Sequence, residues 1–297
     1  MSSASREPIR MILVHWNRPE VCLATLHRFR AQTADVALAV VDNGSTAKNL
    51  AILKAGLAPD VVLLEQPTNT GFGPGANTGL RYWLEHDSWE WAGVAPHDAD
   101  AANDALEVIV DGLATQPDVG LVSADVGDGF TPVVQPFLGA IDAPQTKSEG
   151  FESGDYAHGT LHLFRRPCVE EIGLFDERYF AYCEEADLGL RAKARGWRVG
   201  VMRGAEVRNP MVKTPHPVVD YLQERNTLLL LADHYGPRQV LFRTGVSLWQ
   251  LISGPFNPKG RNHFWTAKSR ILALRDAALR RWGRPPPSIL PNDPGPG

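Results

Sequence analysis

Trp89-Glu-Trp-Ala-Gly-Val-Ala-Pro-His-Asp-Ala-Asp100 runs an apolar segment into two aspartates, Asp98 and Asp100. Trp91 to Ala95 reads as a strand, and in an extended backbone residues i and i+2 point to one side. Both carboxylates could then grip one hard divalent cation at a strand end, as Mg²⁺ or Mn²⁺ is held against a diphosphate. The competing reading is a helix N-cap, because Ala101-Ala-Asn-Asp-Ala-Leu106 has helical character. The pair alone does not choose between them; its surroundings do.

Outward from that stretch, period-2 and period-3.6 segments alternate. Strands are expected at 10–15, 36–41, 61–64, 91–95 and 119–123, and helices at 19–32, 75–86 and 101–116. Such alternation implies an α/β fold with a mostly parallel sheet covered on both faces. Ligands on these sheets bind at the carboxyl ends of the strands. Asn17, Asp42, Asn69 and Asp98 all fall just past a strand, on that one rim. Residues 126–157 lose the pattern and read as a long loop over the site. A strand at 160–164, a helix at 184–195 and a strand at 197–201 follow. From residue 217 to about 282 the chain turns helical, and the Pro/Gly-rich residues 285–297 read as a disordered tail.

Composition narrows the class. With 43% hydrophobic and 22% charged residues the 297-residue chain is ordinary globular protein. Cys22, Cys168 and Cys183 are widely spaced with no Cys-x-x-Cys pair, so neither a disulfide framework nor a zinc site is suggested. The N-terminus lacks a signal-peptide core, and a cytoplasmic setting is expected. Net charge is −4, yet residues 258–284 carry eight bases against one acid, Asp276. A basic C-terminal segment on an acidic body points to an anionic partner. Nucleic acid is not expected, because Trp265 and Trp282 alone do not make a base-stacking face. A bilayer surface or packing on the catalytic domain are the two readings of Val240 to Ile252 with the basic helix beyond it.

Three further motifs carry chemistry. Asn69-Thr-Gly-Phe-Gly-Pro-Gly-Ala-Asn-Thr-Gly79 contains Gly71-x-Gly73-x-x-Ala76, a formal dinucleotide fingerprint, but after the third strand rather than the first. A dehydrogenase is therefore rejected, while Asn69 and Asn77 offer donors and acceptors to a ribose or diphosphate. Asp42-Asn-Gly-Ser45 is an Asx-type turn whose carboxylate could accept a hydrogen bond from a nucleotide. Finally, Tyr179-Phe-Ala-Tyr-Cys-Glu-Glu-Ala-Asp187 brings Glu184, Glu185 and Asp187 to a helix start. The helix dipole accounts for acids there. Like charges so close also hold one proton tightly, as suits a general base, and the aromatics would shape a pocket.

Taken in order, Leu13-Val-His-Trp-Asn-Arg-Pro-Glu20, Val40-Val-Asp-Asn-Gly-Ser-Thr46, Asn69-Thr-Gly-Phe-Gly73, His97-Asp-Ala-Asp100, His158-Gly-Thr160 and Ile172 to Arg191 resemble the inverting family-2 glycosyltransferases, in particular their bacterial rhamnosyl- and galactofuranosyl-transferase-like branch. The likeness covers about residues 10–235. It implies a GT-A fold: a catalytic domain over 1–215, with a nucleotide-binding half at about 10–125 and an acceptor half at about 126–215, then a basic helical extension over 216–284. It also implies that His15, Trp16, Asn17, Asp42, Asn69, Gly71, Asn77 and Asp98 hold a UDP- or dTDP-linked sugar. Asp98 and Asp100 would bind Mg²⁺ or Mn²⁺, and Glu185 would be the base. His158, Gly159, Tyr182, Glu184, Asp187 and Arg191 would frame the sugar and a saccharide or lipid-linked acceptor. The family's usual histidine after Ala205-Glu-Val207 is replaced by Arg208-Asn209, with His216 or Arg208 as substitutes. The implied role is cell-wall or surface-glycan synthesis at the inner face of the plasma membrane. A glycoside hydrolase and a non-catalytic nucleotide-sugar-binding protein are the competing readings.

Overall fold

The computed structural model describes residues 7–209, 214–256 and 264–290. Its elements are β1 (Ile9–His15), α1 (Pro19–Arg30), β2 (Val36–Asn43), α2 (Ala47–Gly56), β3 (Val62–Gln66), α3 (Phe72–His86), β4 (Trp91–Pro96), β5 (Asp100–Ala101), α4 (Ala105–Gly112), β6 (Val119–Asp125), β7 (Phe130–Gln135), β8 (Gly139–Pro144), β9 (Gly150–Ser153), β10 (His162–Arg165), α5 (Arg166–Ile172), α6 (Glu184–Ala194), β11 (Arg198–Arg208), α7 (His216–His234), α8 (Pro237–Ser253) and α9 (Ala267–Ala278). The main sheet has the order β3-β2-β1-β4-β10-β6-β11-β5, with β9 also on β11. Pairings among β1, β2, β3 and β4 are parallel, as is β11 with β6. Only β10, β9 and β5 run against their neighbours.

Central strand β1 is buried at every position, so it reads as a continuous apolar run rather than an alternation. Helices cover both faces. Met11, Leu13, Leu26 and Phe29 belong to the core on one side, and Ile12, Val14, Leu80 and Trp83 to the core on the other. The carboxyl ends of β1, β2 and β4 therefore open on one rim, as the alternation predicted.

Three sequence expectations are corrected. Residues 126–157 are not a patternless loop: β7 and β8 form an antiparallel hairpin and β9 joins the sheet edge. Their short strands are punctuated by Gly127, Gly129, Gly139 and Gly150 at positive φ, which hid the period. Helices α2 and α5 were not foreseen. The first is weakly amphipathic, and its start is marked by the Thr46 side chain accepting from Asn49 N at 3.3 Å. The expected disordered tail begins too early, since Ile289 is buried with Phe180, Val218 and Tyr221. Residues 291–297 lie outside the described residues.

The C-terminal helices pack as a unit around α7, which is buried almost continuously from Val218 to Leu231. Asn226, at its centre, donates through Nδ2 to the carbonyls of Tyr179 (2.9 Å), Ala181 (2.8 Å) and Tyr182 (2.8 Å). Those bonds hold the aromatic loop that delivers α6 to the rim.

Candidate active site

One large cavity, about 1010 Å³, opens where the rim meets the C-terminal helices. Asp98 and Glu185 both line it, together with Trp16, Asn69, Gly71, His158, Gly159, Tyr182 and Glu184. Residues more than eighty apart in sequence are thereby brought to one space.

Glu185 stands in the first turn of α6, behind a loop in which Phe180, Tyr182 and Cys183 have φ of 67°, 68° and 71°. Non-glycine residues at positive φ are uncommon and cost on the order of 1–3 kcal/mol each, so the surrounding structure must over-determine them. Asn226 and the close approach of Gly71 do so: a Cβ at Gly71 would collide with the carbonyl of Phe180. Gly159 plays the matching role for the carboxylate, because a Cβ there would collide with Glu185 Oε1.

Burial raises the pKa of both acids. Glu184 is driven well above the usual carboxylate range, first by desolvation and then by the charge of Glu185. Glu185 is raised by desolvation and partly relieved by a backbone N–H and by its neighbour Glu184. The pair therefore holds a proton more tightly than ordinary carboxylates do. Glu184 Oε2 has no hydrogen-bond partner among the described residues, although Glu184 is only 1% exposed.

The aspartate pair is divided. Strand β4 ends at Pro96, and His97-Asp98 make a turn instead of continuing extended. Asp98 lines the cavity, is buried and meets Arg18 Nη1 at 3.3 Å. Asp100 sits in β5, pairs with Arg28 Nε at 3.3 Å and does not line the cavity. The expectation that i and i+2 would share a face thus fails, because the turn rotates one against the other. Register supplies a different neighbour: Arg208 pairs with Asp100, and continuing that antiparallel ladder carries Asn209 toward Ala99 and Asp98. Asn209 lines the cavity, and its Oδ1 is buried without a partner among the described residues. His97 Nε2 is likewise unpartnered among them, and burial lowers the His97 pKa to about 4, so its ring is neutral. The two substitutes named for the missing histidine do not line the cavity: Arg208 is exposed beside Glu206, and His216 stacks edge-on against Phe264.

Several sequence candidates face inward instead. His15 is fully buried, with Nδ1 donating to Asp42 Oδ1 at 2.9 Å and Nε2 accepting Arg18 N–H at 3.1 Å. Asp42 spends its other oxygen on Ser45 N at 3.1 Å. Burial would raise its pKa, but the bonds from His15 and Ser45 outweigh that and hold it low. Asn17 accepts from Thr46 N at 2.8 Å and ties the β1–α1 and β2–α2 turns together. Asn77 accepts from Phe175 N at 3.0 Å and donates to Phe175 O at 2.9 Å, clasping α3 to the loop before α6. Asp187 bonds Arg191 and His234, each at 2.8 Å. None of these five candidates (His15, Asn17, Asp42, Asn77 and Asp187), nor Arg191, lines the cavity. They are polar groups that brace the turns around it.

Other cavity residues had no signal in the pattern. Tyr156 comes from the segment read as featureless, while Gln223, Glu224, Thr227, Arg243 and Arg270 come from the C-terminal helices. The helical period could have marked the inward face of α7, but not that a cavity lay beyond it.

Residues 11–173, more than half of the chain, match the model of the family described as glycosyl transferase family 2. The chain is 26% identical over 237 residues to an N-acetylglucosaminyl-diphospho-decaprenol L-rhamnosyltransferase of Mycobacterium tuberculosis, a span of 67% of this chain and 76% of that protein. It is 23% identical over 171 residues to the low-salt glycan biosynthesis hexosyltransferase Agl10 of Haloferax volcanii, 54% of each chain. Among solved structures it is similar to the mannosyltransferase PcManGT of Pyrobaculum calidifontis in complex with GDP-Man and Mn²⁺, with a TM-score of 0.60 at 17% identity, covering 93% of this chain and 87% of that one. The fold is thus GT-A, and both the hydrolase and the binding-only readings give way to sugar transfer in glycan synthesis. With its rim, its cavity and its motifs in that order, the chain belongs to glycosyl transferase family 2.

Proposed function

We propose that the chain transfers a hexose or deoxyhexose from a UDP- or dTDP-linked donor to a hydroxyl of a lipid-linked saccharide, by a single displacement with inversion. The observation that carries this reading is the shared cavity, with Asp98 and Asn209 contributed by the sheet rim and Glu185 by α6. Glu185 takes the proton of the acceptor hydroxyl as that oxygen attacks the anomeric carbon and the nucleoside diphosphate departs. Trp16, Asn69 and the backbone at Gly71 hold the nucleotide along the rim. Arg18, beside Asp98, adds positive charge where the diphosphate would lie.

The donor set suits a hard divalent cation: one carboxylate at Asp98 and an unpartnered amide oxygen at Asn209. No group of three or more His, Cys, Asp or Glu side chains among the described residues could hold a metal alone. Mg²⁺ and Mn²⁺ commonly take one or two protein oxygens and complete their shell with substrate phosphates and water. Bound there, the ion would neutralise charge on the leaving diphosphate. The rhamnosyltransferase named for a diphospho-decaprenol acceptor and the Mn²⁺-bound mannosyltransferase support these assignments. So does the basic C-terminal segment, which suits attachment at the inner face of the plasma membrane.

The deciding experiment incubates the chain with UDP- and dTDP-sugars, Mn²⁺ and a diphospho-polyprenyl saccharide, and reads the product's anomeric configuration by NMR. Inversion with release of the nucleoside diphosphate is expected. A product of retained configuration would remove Glu185 from its role. In the same assay Asp98→Asn should lower kcat/KM by roughly one to two orders of magnitude, since a partly screened ionic contact is worth a few kcal/mol.

A further inference from the structure

Helix α8 is inside out for a water-exposed helix. Leu241, Phe242, Leu248, Trp249, Ile252 and, one turn on, Phe256 are between 49% and 88% exposed. At 3.6 residues per turn these positions fall within an arc of about 120°, wide enough to be an apolar face in its own right. The opposite side of the helix, which packs on the protein, is polar at its centre, with half-buried Val240 and Leu251 beside it. Arg243 donates to Glu224 Oε2 at 2.9 Å, Ser247 donates to Glu224 Oε1, and Gln250 accepts from Arg270. A surface helix ordinarily buries its apolar stripe, so the solvent side of α8 is built for an apolar medium.

The face also continues to the cavity. Phe242 packs edge-on against Phe137, with ring centroids 5.2 Å apart, at the tip of the β7–β8 hairpin. Its neighbour Leu138 is 45% exposed and lines the cavity itself. Arg238 lies on the axis of the stripe, near its N-terminal end, and Lys268 and Arg280 are exposed on and just beyond α9. None of the three takes part in an ion pair given for the described residues. Among those residues no helix is long and apolar enough to cross a membrane.

We propose that the α8 face and the hairpin tip form a bilayer-docking surface that lies in an anionic lipid interface and presents the cavity mouth to a lipid-linked acceptor. This rests on the lipid-linked reading of the acceptor given above. An exposed apolar face with an exposed base, Arg238, on its axis matches such an interface, where apolar burial and headgroup attraction add. Because the helix ridge is continuous with Leu138, the acceptor's polar end would enter the cavity while its hydrocarbon stays in the bilayer.

The test uses the full chain with vesicles of phosphatidylglycerol and phosphatidylcholine, with phosphatidylcholine alone as control. Co-sedimentation with the anionic vesicles is expected. It should fall about tenfold or more in the triple variant L248E/W249E/I252E, which removes three large apolar anchors. Arg238→Glu should weaken binding at low salt and have little effect at high salt. Thermal midpoint and nucleotide-diphosphate binding should not change in either variant, which separates loss of docking from loss of fold. Sedimentation of the triple variant equal to that of the parent would overturn the proposal. So would a parent dimer in solution that the triple variant abolishes, because the face would then be a contact between copies. Vesicle binding without sugar transfer would leave this surface standing and sink the transferase mechanism, whereas transfer to a short water-soluble acceptor without vesicle binding would do the reverse.

Discussion

Two sets of acids meet the cavity or its rim, and they are treated in opposite ways. On the sheet side each carboxylate has a positive or hydrogen-donating partner: Asp42 has His15 and Ser45, Asp98 has Arg18, and Asp100 has Arg28. On α6, Glu184 and Glu185 have no cationic partner among the described residues and share desolvation with each other. Acids with such partners serve as fixed charge or as braces. Two adjacent acids that share desolvation keep a proton close at hand, and that is the property a proton-transfer step requires.

The largest break in this comparison is Glu185→Gln, which keeps shape and removes basicity. Turnover should fall by ~10²–10⁴-fold, the usual contribution of a positioned base. Donor affinity measured by calorimetry should hold, and near-normal transfer would assign the base elsewhere. Gly159→Ala comes next. Its added Cβ occupies the space of Glu185 Oε1 and displaces a carboxylate whose charge is untouched. A shift of about 1 Å costs on the order of 10²-fold in rate. An unchanged kcat in this variant would show that the position of Glu185 is not what matters.

The smallest effects are in pH. Because Glu185 is raised, activity should fail on acidification at a pH above the ordinary glutamate value of about 4.3. For stability the two sets have opposite sign. The folded pKa of Glu184 lies above its unfolded value, so its contribution is complete below about pH 4.3 and is lost as pH rises through the folded value. Asp42 is depressed, so its contribution is present above about pH 3.9 and is lost as pH falls through the folded value. Thermal midpoints measured from pH 4 to pH 9 should decline less steeply for Glu184→Gln than for the parent. An identical slope would remove the buried proton from the α6 pair.

A second contrast lies between α4 and α8. Helix α4 turns Leu106 and Ile109 into the core, the arrangement that periodicity predicts. Helix α8 carries an equally regular stripe and turns it outward. Periodicity tells which residues share a face; it does not tell which medium the face will meet. The same limit explains Asp42 and Asn77. Both were recognisable as polar residues beside the rim, yet the rim needs polar braces as well as polar contacts, and the two kinds look alike in one dimension.

What the chain's own pattern determined was the alternation of strands and helices, the rim where their loops gather and the acid pair opening α6. These follow from local period and from motif order, which depend on residues near one another. Tertiary structure decided the rest: that a turn would part Asp98 from Asp100, that β11 would bring Asn209 beside the rim, and that Asn226 would hold the α6 loop from forty residues away. It also decided that the C-terminal helices would wall the cavity with charged side chains while showing water their apolar face. Such choices depend on which surfaces meet across long separations, and a side chain's neighbours at that range leave no periodic trace in the sequence.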